Sequence, residues 1–397
     1  MSQQVPTHRI TATKMADGRD LFYFDDSPGY VTGDKTRRLD DPRPLTDRFT
    51  PIENEDGTVT PIASPIMRLD QLTGEWIPMA THRMNRTFLP PASANPLAPA
   101  DPNSEYQDGE IPATDYDVVV FENRFPSLLK VPGVDLALRH TDGEELFVEA
   151  AAAGRCEVIC FSPDMNASLG TVTPRRMRTV IEAWTARTAE LINLPEVKEV
   201  FIFENRGVEI GVTLHHPHGQ IYSYPYVTPR TEQLLNQVAK YKEKTGKILQ
   251  EELLAAELRS GERIVRQTDH WVAYVPVAGR WPIDLHIAPL RHVTNLTELT
   301  DDEKADLAEL YLDILQRADL IYPNEDGSPK RLPYISAWHQ APDVPGGEDT
   351  RLYLHFYSVM RGPGKLKYLA GSESGAGAWI SDTTPEIIAD MWRQVAK

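Results

Sequence analysis

His216-Pro217-His218-Gly219-Gln220-Ile221-Tyr222-Ser223-Tyr224 is the stretch on which the reading of this chain turns. Its period-two pattern predicts a β-strand, which sets His216, His218 and Gln220 toward one face. A histidine that acts as a nucleophile has to be neutral, with its attacking nitrogen unprotonated, so the other ring nitrogen needs a fixed acceptor. A backbone carbonyl two residues back could serve. Attack on an α-phosphorus would leave a covalent nucleotidyl-histidine, and the charge on its non-bridging oxygens calls for a donor close by. The Gln220 amide is placed to be that donor. An amide cannot protonate a leaving group as an imidazolium can, so this spacing favours handing the group to a second substrate over hydrolysis. Taken alone, the H-x-H pattern also fits a metal site, or a strand whose histidines are merely satisfied.

Upstream, a β-branched and aromatic run (Val197, Val200, Phe201, Ile202) ends in Phe203-Glu204-Asn205-Arg206-Gly207, and Gly211 and Thr213 precede the histidines. A loop with an amide, a hydroxyl and glycines that permit close approach suits a phosphate group. Further segments share the pattern: Leu72-Thr73-Gly74-Glu75-Trp76-Ile77, His82-Arg83-Met84-Asn85-Arg86, Cys160-Phe161-Ser162-Pro163-Asp164, Ala337-Trp338-His339-Gln340-Ala341-Pro342 and Leu354-His355-Phe356-Tyr357. With them the chain resembles the galactose-1-phosphate uridylyltransferase family, a branch of the histidine-triad superfamily, from about residue 65 to the C-terminus.

The resemblance implies a ping-pong reaction in which UDP-glucose uridylylates a histidine and galactose-1-phosphate then takes the uridylyl group. At the matching positions, His218 is the nucleophile, Gln220 the amide that holds the phosphoryl oxygens, and His216 the first histidine of the motif. Asn205, Gly211 and Thr213 match the phosphate loop, and Arg83 and Arg86 the pair that meets substrate phosphate, where a guanidinium fork fits. Phe121, Asn123 and Phe125 match residues flanking the uridine; Lys367, Tyr368 and Glu373 match a sugar-contacting segment. A homodimer is also implied, with the last three serving the neighbouring subunit's site.

The chain departs from the family at its metals. Many members bind zinc through C-x-x-C, a histidine after Ser-Pro-Asp, and the first histidine of H-P-H. Here the loop reads Asn95-Pro96-Leu97-Ala98 and Met165 follows Asp164, so of the four ligands only His216 remains and no zinc is expected. A second family site takes a glutamate beyond the nucleophile and three histidines near the C-terminus. His339 and His355 match two of these, Tyr353 takes the third place and Leu235 lies near that of the glutamate, with Glu232 one turn away. Two imidazoles without a carboxylate make a poor site, so no metal is expected there either. Arg124 stands where many members have an aspartate on the ribose, and arginine accepts no hydroxyl proton. It keeps open an adenine-preferring relative, such as a dinucleoside polyphosphate phosphorylase, as a second reading; a non-enzymatic nucleotide-binding protein is the third.

At 397 residues and 41% hydrophobic, the chain can bury a sizeable core. A formal charge of -17 argues against a nucleic-acid surface. The two cysteines, Cys156 and Cys160, lie four apart in a strand-like segment, roughly 13 Å between Cα atoms and too far to bridge. No signal peptide or membrane span is legible, which places the chain in the cytoplasm.

The fold class expected is α+β, a duplicated histidine-triad-like module with an antiparallel-rich sheet and helices packed against it. In each half a strand, a Phe161-Ser162-Pro163 or Ile287-Ala288-Pro289 corner, a helix, and two more strands follow one another. Residues 1–64 read as an arm packed on the body, 65–235 as the module that carries the nucleophile, and 236–397 as the second module. Six prolines between Pro90 and Pro112 predict a loop that crosses the surface or lines a site. Thr173-Pro174 opens a helix with Met177, Val180, Ile181, Trp184, Thr188 and Leu191 on one face, and Thr300-Asp301-Asp302-Glu303 opens another. A single polar helix is expected from Pro229 to about Leu258 as the link. His286 and His292 are read as structural.

Overall fold

A computed structural model describes residues 7–53, 59–60, 64–81 and 90–395. Eleven strands form one sheet: β1 (Arg9–Lys14), β2 (Asp20–Asp25), β3 (Val118–Glu122), β4 (Arg155–Cys160), β5 (Glu199–Arg206), β6 (His218–Tyr224), β7 (Ile264–Gln267), β8 (Trp271–Tyr274), β9 (Ile283–Pro289), β10 (Tyr334–His339) and β11 (Tyr353–Ser358). Their spatial order is β1-β2-β3-β4-β6-β5-β10-β11-β9-β8-β7, with every neighbouring pair antiparallel.

The order contains the duplication. The run β2-β3-β4-β6-β5 in the first half is matched by β7-β8-β9-β11-β10 in the second, and the copies meet edge to edge where β5 pairs with β10. Setting the corner prolines Pro163 and Pro289 against each other makes Cys160 equivalent to His286. Cys160 pairs with His218, and His286 with His355, so His355 is the counterpart of His218. By the same registers Tyr357 is the counterpart of Gln220.

Alternation along the strands divides the sheet into two faces. Ile202, Ile221, Leu285, Trp338, Leu354 and Phe356 enter the main core with helices α1 (Pro174–Leu191) and α4 (Asp301–Ile321). Both helices start as their sequences predict. The Thr173 hydroxyl accepts from Arg176 N, and Thr300 and Glu303 form a reciprocal capping box. Met177, Val180, Ile181, Trp184, Thr188 and Leu191 are all buried. Trp184 meets Phe161 edge-on at 6.4 Å and Trp338 at 6.1 Å, so one indole ties the two modules together from inside the core.

Two expectations are corrected. Strands β1 and β2 are not an arm laid on the body; β2 pairs with β3 and continues the sheet, because Leu21-Phe22-Tyr23-Phe24 is apolar on both faces and buried. The linking helix is two helices, α2 (Pro229–Thr245) and α3 (Leu249–Ser260). Gly246, at φ 74, caps the first and turns the chain away. A final helix, α5 (Pro385–Gln394), buries Trp392 against Phe356. Among the described residues no helix is long and apolar enough to cross a membrane. Cys156 and Cys160 are buried and are not joined in a disulfide.

Candidate active site

His218 is the first residue of β6, fixed between β4 and β5. Its Nδ1 lies 2.7 Å from the His216 carbonyl oxygen. A carbonyl only accepts, so Nδ1 carries the proton and Nε2 keeps its lone pair. Burial holds the imidazole below the ordinary histidine value, against the pull of that carbonyl. Pro217 sets the step between the histidines, and its carbonyl accepts from Phe161 N at 3.2 Å. Gly219 is required by space. A Cβ there would stand 2.9 Å from Phe161 Cζ and 3.0 Å from the Phe203 carbonyl oxygen. Gln220 follows on the same face, where its Oε1 accepts the Tyr222 hydroxyl at 3.0 Å and its N–H groups remain the donors.

Two clefts meet at His218. One, of about 260 Å³, is lined by Asn205, Gly207, His216, His218, Glu204 and Arg331 among others; the other, about 150 Å³, by Phe121, Asn123, Phe125, Thr213, His218 and Gln220. The structure thus gathers both the loop residues and the aromatic pair around one imidazole. Gly211, at φ 84, closes the turn 208–210 that carries the loop past the first cleft. The proline-rich segment lines the second cleft through Pro96 and Leu97.

Two residues at the first cleft went unread in the sequence. Arg331 comes from the second module, and its guanidinium donates to the carbonyls of Asn166 and Ala167. No motif surrounds it, so only the fold could reveal it. Glu204 accepts the Tyr334 hydroxyl at 2.8 Å, and burial pushes its carboxyl up to about 7. Its neighbour Asn205 drew the reading, although alternation along β5 puts the two on opposite faces.

His216 is 2% exposed with both ring nitrogens engaged. Asn95 Nδ2 lies 2.9 Å from its Nδ1; Nε2 lies 2.7 Å from the Tyr116 hydroxyl and 2.8 Å from the Ser162 carbonyl. Burial lowers its pKa to about 4, so the ring is neutral. With Nε2 donating to the Ser162 carbonyl, Nδ1 accepts from the Asn95 amide, which assigns the tautomer.

The family model described as galactose-1-phosphate uridyl transferase, N-terminal domain, matches residues 53–228, and that for the C-terminal domain matches 234–364. The chain belongs to the galactose-1-phosphate uridylyltransferase family. It is 40% identical to the galactose-1-phosphate uridylyltransferase of Streptomyces lividans, over 97% of this chain and 98% of that one. To the enzyme of that name from Thermotoga maritima it is 32% identical, over 83% and 98%. Among solved structures, one titled "Structure of uridylyltransferase" superposes with a TM-score of 0.71 at 31% identity, covering 83% of this chain and 98% of the other.

Not every position matched to the uridylyltransferase family converges on His218. Arg83 and Arg86 lie outside the described residues. Lys367, Tyr368 and Glu373 line neither cleft: Lys367 Nζ is held by Asp382 at 3.0 Å and Glu373 at 3.5 Å, and Tyr368 is 76% exposed. Arg124 does line the second cleft, 3.9 Å from Glu110. At the family's second metal position Glu232 is exposed on α2, and His339 stacks on Tyr353 at 4.6 Å. His355 is not left without a carboxylate, as the sequence led us to expect, because Asp284 Oδ1 lies 2.8 Å from its Nε2.

Proposed function

We propose that this chain exchanges UMP between UDP-glucose and galactose-1-phosphate through a uridylyl group carried on His218. The observation that carries the reading is the Nδ1 bond to the His216 carbonyl, which leaves Nε2 as the nucleophile in the cleft shared with Gln220. In the first half-reaction Nε2 bonds to the α-phosphorus of UDP-glucose, and the bond from that phosphorus to the bridging oxygen breaks. Glucose-1-phosphate leaves as an anion and needs no proton from the protein. In the second, a phosphate oxygen of galactose-1-phosphate attacks the same phosphorus, and the electron pair returns to Nε2. Gln220 donates to a non-bridging oxygen throughout, while Asn205, Gly211 and Thr213 border the phosphates and Phe121, Asn123 and Phe125 enclose the base and ribose.

No zinc enters this scheme. Asn95 and Ala98 supply no thiolate, and Asn95 and Tyr116 already occupy the nitrogens of His216. We read the reaction as cytoplasmic and the active form as a homodimer in which Lys367, Tyr368 and Glu373 reach the partner copy's cleft. The exposure of Tyr368 is in keeping with that.

Intact-mass measurement after incubation with UDP-glucose alone tests the scheme. A uridylyl adduct on the wild type and not on His218→Ala, discharged by galactose-1-phosphate as UDP-galactose forms, is the result expected. An adduct from an adenine dinucleotide but none from UDP-glucose would overturn it in favour of a phosphorylase.

A further inference from the structure

We propose that Asn95 and Tyr116 are positioning residues for the transfer, a role that rests on the reading of His218 as the nucleophile. They hold the His216 ring at both nitrogens, so that the His216 carbonyl oxygen stays on Nδ1 of His218. His216 needs such an anchor. It lies two residues before β6 begins, outside the strand ladder, and Pro217 after it has no N–H to give. Its carbonyl is aimed by the place of its Cα, which the ring fixes, and by the extended conformation that a following proline imposes.

The hydrogen bonds around the ring run in one direction. Leu97 N donates to Asn95 Oδ1 at 3.0 Å, so Asn95 Nδ2 is the atom turned to His216 Nδ1, 2.9 Å away. An amide nitrogen only donates; Nδ1 therefore accepts and the ring proton sits on Nε2. Nε2 then has two acceptors, the Ser162 carbonyl oxygen at 2.8 Å and the Tyr116 hydroxyl oxygen at 2.7 Å. The Tyr116 proton goes on to a carbonyl, with that of Leu97 at 3.0 Å and that of Ser162 at 2.9 Å. One imidazole thus ties together three segments distant in sequence: the proline-rich loop at Asn95, the approach to β3 at Tyr116, and the corner after β4 at Ser162. Tyr116 and His216 are each 2% exposed, so water does not compete for these bonds.

Neither Asn95 nor Tyr116 borders either cleft at His218. Their effect on the reaction has to pass through a residue that does. His216 and Leu97 are the two they touch, and only His216 bonds to His218. An effect through Leu97, which borders the second cleft, would appear in substrate affinity instead. Asn95 and Ala98 stand where many family members have two thiolates, and they do not make a zinc site; hydrogen bonds hold the imidazole in its place.

Asn95→Asp, Asn95→Ala and Tyr116→Phe in the full-length protein test this. Asn95→Asp keeps the volume and the acceptor for Leu97, but it exchanges the N–H donor for a carboxylate that draws a proton onto Nδ1. Both Asn95 variants should lower kcat by between about 10- and 100-fold, with KM for UDP-glucose within about 2-fold of the wild type. Tyr116→Phe removes one of the two acceptors of Nε2 and should show the same pattern with a smaller loss. In a His216→Gln background the Asn95 substitutions should cost nothing more, because the residue they act through is gone. Wild-type kcat in folded Asn95→Asp, a rise in KM in place of the fall in kcat, or losses that multiply with that of His216→Gln would overturn the proposal. NMR of the imidazoles reads the same anchor without substrate. The His218 Nδ1 proton should exchange about 10-fold faster in Asn95→Asp than in the wild type, and equal rates would also overturn the proposal. That readout needs no uridylyl adduct, so failure of the anchor and failure of the proposed reaction are separate results.

Discussion

His216 holds His218: the carbonyl oxygen of the first lies 2.7 Å from Nδ1 of the second, so one residue sets the tautomer of the other. The proposed nucleophile, His218, is therefore held in its neutral form, and burial keeps it so below the usual histidine range. Uridylylation by UDP-glucose, followed in a single turnover, should fall off in acid with a midpoint below the ordinary histidine value. His218→Ala should reduce kcat by about 10⁴-fold or more with no adduct formed, since removal of a nucleophile leaves only binding and electrostatic help. A decline already starting above pH 7 would contradict the assignment.

Gln220 should matter through charge and not through proton transfer. Its amide is oriented by Tyr222, and the phosphoryl oxygens it would meet, already anionic in UDP-glucose, gain further negative charge as phosphorus is attacked. Gln220→Ala should cost about 10²–10³ in kcat for both half-reactions, with KM for UDP-glucose moving far less. Equal losses in kcat and in substrate affinity would show a ground-state contact instead.

Local signals were legible in the sequence, and residues brought together from afar were not. The period of 218–224 put His218 and Gln220 on one face because alternation is a property of the strand itself, whereas His216 lies before the strand and is placed by Asn95, Tyr116 and the Ser162 carbonyl. Thr300 with Glu303 was readable because a capping box is closed within four residues. The order of the two halves was readable because each repeats its corner and helix. Arg331 and Asp284 carry no such mark. Each gains its meaning from a partner brought near by the sheet: Arg331 from the loop at Asn166, Asp284 from His355 on the next strand. The place of β1 and β2 was missed for the same reason, since pairing β2 with β3 depends on a hydrogen-bonded edge that the sequence does not display. Gly246 was a local signal and could have been used, because a glycine after two lysines in a last turn is a common helix stop.

Acid should reach the molecule through His216. In the unfolded chain this ring titrates near 6.5, and in the fold near 4, because charging it in its buried place is costly. Its contribution is thus fully present above pH 6.5 and is lost as pH falls from 6.5 through 4. The difference corresponds to on the order of 3 kcal/mol. Urea unfolding at pH 7.5 and at pH 4.5 should show a larger loss for the wild type than for His216→Gln, which cannot titrate. Equal losses would mean that the ring stays wet.

Glu204 should act with the opposite sign. Its carboxyl, buried beside the Tyr334 hydroxyl, titrates at about 7 in the fold against 4.5 when free. The stability it allows is complete below pH 4.5 and is lost as pH rises through 7, because the unfolded chain then holds the charge more cheaply. Glu204→Gln keeps an acceptor for Tyr334 without the charge. It should match the wild type near pH 4.5 and exceed it at pH 8.5, by roughly 3 kcal/mol at most. A variant less stable than the wild type at pH 8.5 would show that the ionised carboxylate is supported by Arg206 more strongly than its burial opposes it.

Gly219→Ala tests whether the strand that bears both His218 and Gln220 tolerates displacement. The added methyl would meet the Phe161 ring at 2.9 Å and the Phe203 carbonyl at 3.0 Å, and the second of these is backbone of β5. The ring can turn, but the carbonyl can retreat only by parting β5 from β6, whose register is Phe203 against Gln220. Overpacking of this kind costs about 1–3 kcal/mol, read as a shift in the urea midpoint. Because a misplacement of about 1 Å costs on the order of 10²-fold in a positioned reaction, kcat should fall by about that much in protein that is still folded. A Gly219→Ala variant with wild-type kcat would mean that the spacing of His218 and Gln220 survives the shift, and that this glycine serves packing alone.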